Sequence, residues 1–122
     1  MLKSYRELQV WQRSIQLATA VYRLAAGFPR DEVYGLSSQM KRAAVSVASN
    51  IAEGYGRLSA GEYRQFLGIA RGSTLELQTQ FEIARALDIG DGNLLREAKE
   101  LSEEVSKMLY AMIDKLKATK AT

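Results

Sequence analysis

The sequence predicts an all-α protein, arranged as an up-down-up-down antiparallel four-helix bundle. Its 122 residues include nine Gly and one Pro, and most of these helix-breaking residues concentrate in three regions, near 27–35, 54–61 and 90–92. Between the breaks, apolar residues recur every three or four positions, which is the period of one helix face. The connecting segments are short, and short loops force neighbouring helices to run antiparallel. We therefore expect one four-helix domain over residues 1–122.

The first helix is expected over residues 5–26. The segment Ser4-Tyr5-Arg6-Glu7 has the pattern of a capping box, in which Ser and Glu side chains accept hydrogen bonds from free backbone amides. Two apolar stripes follow along the helix. The first comprises Leu8, Trp11, Ile15, Ala18, Tyr22 and Ala25, and the second comprises Val10, Leu17, Val21, Leu24 and Phe28. This apolar face is wider than one bundle interior requires, so we expect an oligomer.

The second helix is expected over residues 36–55. Its core stripe comprises Leu36, Met40, Ala43, Val47 and Ile51, with the small residues Ala44, Ala48 and Ala52 beside it. Asn50 and Glu53 interrupt this apolar stretch and share a face because they are three residues apart. We interpret them as a structural polar motif, a buried network that fixes helix register with Arg71 or Ser73 as a partner. The alternative is that they form a binding site.

The third and fourth helices are expected over residues 60–88 and 93–117. A second capping box, Ser59-Ala60-Gly61-Glu62, begins the third helix. Its core face comprises Tyr63, Phe66, Leu67, Ala70, Thr74, Leu77, Phe81 and Ala84. The helix should end near Asp88, where Gly90 offers the left-handed conformation that helix ends favour. The fourth helix has a core face of Leu94, Ala98, Leu101, Val105, Met108, Met112 and Leu116.

The composition removes most kinds of catalytic site. The chain has no His and no Cys, which excludes Ser-His-Asp triads, zinc sites built from Cys or His, and the Glu-x-x-His motifs of di-iron bundles. Glu97, Glu100, Glu103 and Glu104 lie on one broad side of the fourth helix, but the third helix has no matching acidic motif for a magnesium enzyme. We interpret these glutamates as a solvated face. We expect no enzyme activity, no catalytic residues, no cofactor and no metal.

Basic residues are the remaining candidates for chemistry. Arg64, Arg71, Gln78 and Arg85 recur every seven residues along the flank of the third helix, and Arg57 extends this stripe towards the preceding loop. Lys41 and Arg42 form a second basic pair. We predict that nucleic-acid phosphates bind to Lys41, Arg42, Arg57, Arg64 and Arg71. The alternative is pairing of these cations within the bundle or between subunits, for example with Glu82.

The sequence also indicates where in the cell the protein is found. No apolar run approaches the roughly 20 residues that span a bilayer, and Met1 to Lys3 lead into a mixed segment without a signal-peptide core. We expect a cytoplasmic protein with no membrane partner.

Several motifs resemble those of one known family. They are Val10-Trp11, Phe28-Pro29, Tyr34-Gly35-Leu36, Lys41-Arg42-Ala43-Ala44, Asn50-Ile51-Ala52-Glu53-Gly54, and Phe66-Leu67 through Gly72-Ser73 to Glu76-Leu77. Over residues 5–117 the chain resembles the four-helix-bundle family that includes proteins encoded in intervening sequences of 23S ribosomal RNA genes and the accessory variability determinant of diversity-generating retroelements. The resemblance implies a homopentameric ring with a basic surface. In the retroelement branch it implies binding to a reverse transcriptase and to nucleic acid.

These observations lead to one functional expectation. We expect a non-enzymatic, oligomeric four-helix-bundle module that binds RNA or a ribonucleoprotein through a basic surface. The alternative is a structural or protein-binding homo-oligomer with no nucleic-acid role.

Overall fold

The computed structural model describes residues 2–32 and 34–121, with side chains as far as Lys117. It contains four long helices and, within the described residues, no strand. The helices are α1 (Gln9–Ala26), α2 (Leu36–Tyr55), α3 (Ala60–Ala86) and α4 (Gly92–Ala121). Each helix packs against the next one along the chain, and α4 returns to pack against α1. The predicted antiparallel four-helix bundle is confirmed.

α1 begins four residues later than predicted. Ser4 Oγ accepts a hydrogen bond from the Arg6 amide at 2.9 Å, and Glu7 Oε2 accepts one from the Lys3 amide at 2.8 Å. The two side chains of the predicted capping box therefore cap a single 3-10 turn. Leu8 follows in an extended conformation, with φ −70° and ψ 124°, and separates this turn from α1.

The two apolar stripes of α1 lie in different environments. The second stripe is buried in the bundle, with Leu17, Val21 and Leu24 fully inaccessible. Large buried side chains from the other helices complete this core: Met40, Val47, Ile51, Leu67, Leu77, Phe81, Val105 and Leu109. Burying each such side chain stabilises the fold by roughly 1.5 to 3 kcal/mol. In the first stripe, Ile15 and Tyr22 remain exposed at the surface beside α2.

α2 and α3 approach each other closely at Gly54. A methyl group at this position would lie 2.8 Å from Phe66 Cβ and 3.0 Å from Tyr63 Cδ1. The first distance is shorter than real Cβ contacts and the second is shorter than most, so a larger residue would force the two helices apart. The Tyr63 ring meets Tyr55 edge to face, with centroids 6.2 Å apart. Burial raises the pKa of Tyr63 above its ordinary value of 10.0, and the neighbouring Tyr55 adds to the effect.

Asn50 and Glu53 do not form the buried pair that the sequence predicts. Asn50 Nδ2 donates to the Ser46 carbonyl at 2.8 Å and to Ser46 Oγ at 3.0 Å. Ser73 Oγ of α3 also donates to Ser46 Oγ, at 2.9 Å. This polar chain links α2 to α3 without a carboxylate. Glu53 is exposed, so the expectation that it is buried is wrong, because its neighbour Gly54 occupies the position that faces α3.

α3 ends in a Schellman motif centred on Asp88. The Asp88 amide donates to the Arg85 carbonyl at 3.1 Å, and the Ile89 amide donates to the Ala84 carbonyl at 3.0 Å. This pattern requires a left-handed residue just after the helix, and Asp88 has φ 56°. The prediction named Gly90 for this role. Gly90 is also left-handed, with φ 85°, but it lies two residues further on.

The loop after α3 packs on the end of α1. A methyl group at Gly90 would lie 2.7 Å from Phe28 Cε1 and 3.1 Å from Leu24 Cδ1, so the loop approaches α1 without space for a side chain. Asp91 Oδ1 then accepts hydrogen bonds from the Asn93 and Leu94 amides, both at 2.9 Å, and caps the start of α4. None of the described helices has both the length and the apolar composition of a membrane span.

Replacing Gly54 with Ala should lower the free energy of unfolding by about 1 to 3 kcal/mol, because the added methyl group forces α2 and α3 apart. Urea titration followed by circular dichroism measures the change. Gly56→Ala is the matched control, since a methyl group there meets nothing closer than a carbonyl oxygen at 3.6 Å. Equal stability of Gly54→Ala and the parent would contradict the close approach.

Replacing Asp88 with Gly should raise the free energy of unfolding by about 0.5 to 1 kcal/mol. Glycine adopts the left-handed conformation without the steric cost that a Cβ atom imposes. The same titration measures the gain, and Asp88→Ala, which keeps the Cβ atom, should show none. A loss of stability in Asp88→Gly would show that the Asp side chain itself supports the helix end.

Candidate functional site

The five basic residues predicted to bind nucleic acid do not share one surface of a single chain. Lys41 and Arg42 lie on α2, and Lys41 faces α1, whereas Arg64 and Arg71 lie on α3, and Arg71 faces α4. Since each helix packs only between its two neighbours in the ring of four, these two positions are on opposite sides of the bundle. Arg57 lies apart from both pairs, in the loop between α2 and α3.

Arg64 and Arg71 form the better-defined pair. Both side chains are half-buried. Nη1 of Arg64 and Nε of Arg71 are buried without a hydrogen-bond partner. The Arg71 guanidinium lies 5.4 Å from the ring centroid of Tyr110 on α4, a cation–π contact. The flank of α3 beside α4 therefore presents two arginines whose hydrogen-bonding capacity the bundle does not fill. We call this pair the arginine flank.

Arg57 does not extend the arginine flank as predicted. Its guanidinium lies 4.4 Å from the centroid of Phe66. Phe66 packs against α2 at Gly54, so it belongs to the side of α3 that faces α2. Arg57 is thus held near the close approach of α2 and α3, and its side chain remains exposed.

Lys41 and Arg42 line a surface depression between α1 and α2. The Lys41 ammonium group is 5.2 Å from the ring centroid of Tyr22. Arg42, Tyr34 and Val45 line the same depression. Its lining therefore combines two aromatic rings and an aliphatic side chain with two cations.

The predicted cations differ from several other basic residues, which form ion pairs with carboxylates. Arg85, the last arginine of the seven-residue pattern, lies 3.8 Å from Glu82, and Lys99 lies 3.6 Å from the same carboxylate. Across the described part of the chain, no carboxylate lies within ion-pair distance of any of the five predicted cations. Pairing with Glu82 thus accounts for Arg85 but does not account for the arginine flank.

The glutamates of α4 meet basic residues of α1. Arg13 Nε lies 3.0 Å from Glu104 Oε1, and Arg23, Glu97 and Glu100 line the same surface groove. Mixed charges of this kind neutralise one another. No group of three or more acidic residues that could hold a metal ion occurs among the described residues.

The sequence placed Trp11 and Tyr22 in one apolar stripe of α1 but did not indicate that they have different surroundings. Trp11 packs against the core, whereas Tyr22 is exposed, and both line the depressions between α1 and α2. The wide apolar arc of α1 was the signal that this helix has two apolar faces. The contact between Arg71 and Tyr110 had no signal in the sequence, because it depends on how α3 and α4 align.

Comparison with known proteins assigns the chain to a family. The family model described as 23S rRNA-intervening sequence protein matches residues 6–111. The crystal structure of a protein with unknown function from the S23 ribosomal protein family of Bacteroides thetaiotaomicron VPI-5482 has a TM-score of 0.76 and 23% sequence identity, covering 85% of this chain and 97% of that one. At this identity the likeness supports the fold alone. Comparison with curated proteins gives no match. The chain belongs to the family of 23S rRNA-intervening sequence proteins.

Proposed function

We propose that this protein is a cytoplasmic, non-catalytic homo-oligomer that binds RNA, or the RNA of a ribonucleoprotein, through its phosphates. The observation that carries the proposal is the arginine flank. Arg64 and Arg71 are half-buried and have buried nitrogen atoms without a hydrogen-bond partner. An arginine held at a surface without a carboxylate favours an external anion, because desolvated donors without a partner are costly.

Phosphate suits this pair chemically. A guanidinium group presents a planar set of N–H donors that matches two phosphate oxygens. Arg64 and Arg71 are separated by two helical turns, a rise of about 10 Å, so they fit separate phosphates along a backbone better than one small anion. Phosphate contacts position a nucleic acid without reading its bases, and we therefore propose binding of weak sequence selectivity.

Repetition of the flank supplies the affinity that one chain lacks. The net charge is only +3, and two arginines alone bind a polyanion weakly. In an oligomer, each subunit presents its own copy of the arginine flank. Once one subunit has bound the RNA, the other subunits are held close to it. Their contacts then depend on the local effective concentration and not on the bulk concentration. The proposed homopentamer is therefore part of the proposed mechanism.

A second candidate function is a protein-binding homo-oligomer with no nucleic-acid role. The apolar surface between α1 and α2 favours it, because Ile15, Tyr22 and Val45 are each between 41 and 47% exposed and line the adjoining depressions between these helices. An exposed apolar surface of this kind is typical of a protein contact. In this alternative the partner is a protein, such as a reverse transcriptase, and the arginines serve only to keep the surface hydrated.

We expect the purified protein to be a homopentamer. When another subunit covers the exposed apolar residues of α1 and α2, this surface leaves water and the free energy falls. Size-exclusion chromatography with multi-angle light scattering should give five times the mass of one chain. A single-chain mass at every concentration would contradict self-assembly, whereas a different number of subunits would contradict only the pentamer.

The double variant Arg64→Glu/Arg71→Glu should weaken RNA binding by at least about tenfold, because it removes two phosphate-binding cations from each subunit. The slope of log affinity against log salt concentration should fall by roughly one for each phosphate that is no longer neutralised. Fluorescence anisotropy with a labelled, structured RNA at several salt concentrations measures both quantities.

Arg23→Glu/Arg30→Glu is the matched control, since it makes the same change in charge elsewhere on the chain. It should keep most of the affinity. If both double variants bind RNA equally well, the arginine flank is not the site. If the parent binds no structured RNA even at low salt, the protein-binding alternative replaces the proposal.

A further inference from the structure

Two exposed apolar surfaces of this chain have different shapes and opposite charges. The first, which we call the α1–α2 groove, is formed by the two adjoining depressions between these helices. Its lining includes Trp11, Ile15, Lys41, Arg42, Val45 and Ala48. Two cations and no carboxylate occur in this lining.

The second surface lies on the outer side of α3. Ile69, Glu76 and Ile83 are seven residues apart, so they form one line along the helix. All three are exposed, with 49% of Ile69 and 43% of Ile83 accessible. Glu76 accepts a hydrogen bond from Gln80 at 3.2 Å and, within the described residues, has no cation within ion-pair distance. We call this line the α3 ridge.

Two glycines beside the α3 ridge are not explained by packing within the chain. Gly68 and Gly72 lie inside α3, and apart from the adjacent residues and the backbone of α3 itself, a methyl group at either position would meet no atom within 4 Å. Glycine inside a helix is destabilising relative to alanine, and here the bundle does not need the space. The absence of a side chain benefits only a molecule that approaches α3 from outside.

We propose that the α3 ridge of one chain binds in the α1–α2 groove of a second copy. The ridge supplies isoleucines on both sides of a carboxylate, and the groove supplies apolar walls with cations at one end. Suppose that α3 of one chain lies alongside α2 of the other, with Glu76 beside Lys41. Ile69 or Ile83, depending on the direction of α3, then lies about 10 Å further along the helix and level with Ala48. Ala48 lines the same depression as Trp11 and Ile15.

This inference rests on the proposed self-assembly and adds the surfaces through which it occurs. Because groove and ridge are different surfaces of one chain, the contact is heterologous, or head to tail. An open assembly then has one free groove at one end and one free ridge at the other end until it closes. A heterologous contact produces a ring when its rotation closes, whereas a groove that bound a second groove would stop at a dimer and would bring no carboxylate to Lys41 and Arg42.

Two double variants test the head-to-tail contact. The groove variant is Ile15→Glu/Val45→Glu, and the ridge variant is Ile69→Glu/Ile83→Glu. All four side chains are exposed, so both variants should keep the parent's circular dichroism spectrum. Each alone should have the mass of one chain in light scattering. Mixed in equal amounts, they should give heterodimers and nothing larger, because only the intact ridge of the groove variant fits the intact groove of the ridge variant.

The controls separate this inference from the proposed function. Leu58→Glu changes a fully exposed residue in the loop between α2 and α3 and should keep the parent's mass. If the parent is an oligomer and the groove or ridge variant keeps its mass, the inference is overturned while self-assembly stands. If both variants are folded single chains that do not form heterodimers, the head-to-tail contact is overturned. A parent with the mass of one chain overturns self-assembly itself.

A charge exchange provides a second test that does not alter the apolar residues. Glu76→Lys should raise the concentration at which half of the oligomer dissociates by at least tenfold, and adding Lys41→Glu to the same chain should restore most of the parent's assembly. Failure of the second substitution to restore assembly would contradict the pairing of Glu76 with Lys41. The oligomeric mass of Arg64→Glu/Arg71→Glu should equal that of the parent, since the arginine flank lies outside both surfaces.

Discussion

The close approach of α2 and α3 is the constraint on which the rest of the structure depends. At Gly54 the two helices are so near that Phe66 and Tyr63 leave no room for a methyl group. The chain of hydrogen bonds from Asn50 through Ser46 to Ser73 fixes the same interface further along the helices. On another side of α2, Val45 is exposed and lines the depressions between α1 and α2.

The distribution of ion pairs divides the basic residues of this protein into two groups. Arg13 lies beside Glu104, and Arg85 and Lys99 share Glu82, so these carboxylates offset part of the positive charge within the chain. The arginine flank instead makes contact with an aromatic ring, at Tyr110, which holds a cation in place without cancelling its charge. The arginines of this flank therefore still attract an external anion. A modest net charge can therefore conceal local sites that are distinctly positive.

The candidate site was predictable in part. The seven-residue spacing identified Arg64 and Arg71 as neighbours on one flank of α3, because a helix places such residues on one line whatever surrounds it. The same pattern included Arg85, which the structure pairs with Glu82. It also included Arg57, which lies beyond the helix and packs on Phe66. Spacing along the sequence defines a line on a helix, but it does not say which partners the neighbouring helices bring to that line.

The sequence by itself determined the helices and their antiparallel arrangement. Helix periodicity and the clustering of Gly and Pro are local properties, and α2 begins and ends where they indicate, at Leu36 and Tyr55. Only the tertiary structure decided which apolar stripe of α1 is buried, and that Gly54 faces α3 while Glu53 is exposed. The reason is physical: a periodic pattern fixes the relative angles of side chains around one helix, whereas the rotation of that helix depends on how closely its neighbours can approach.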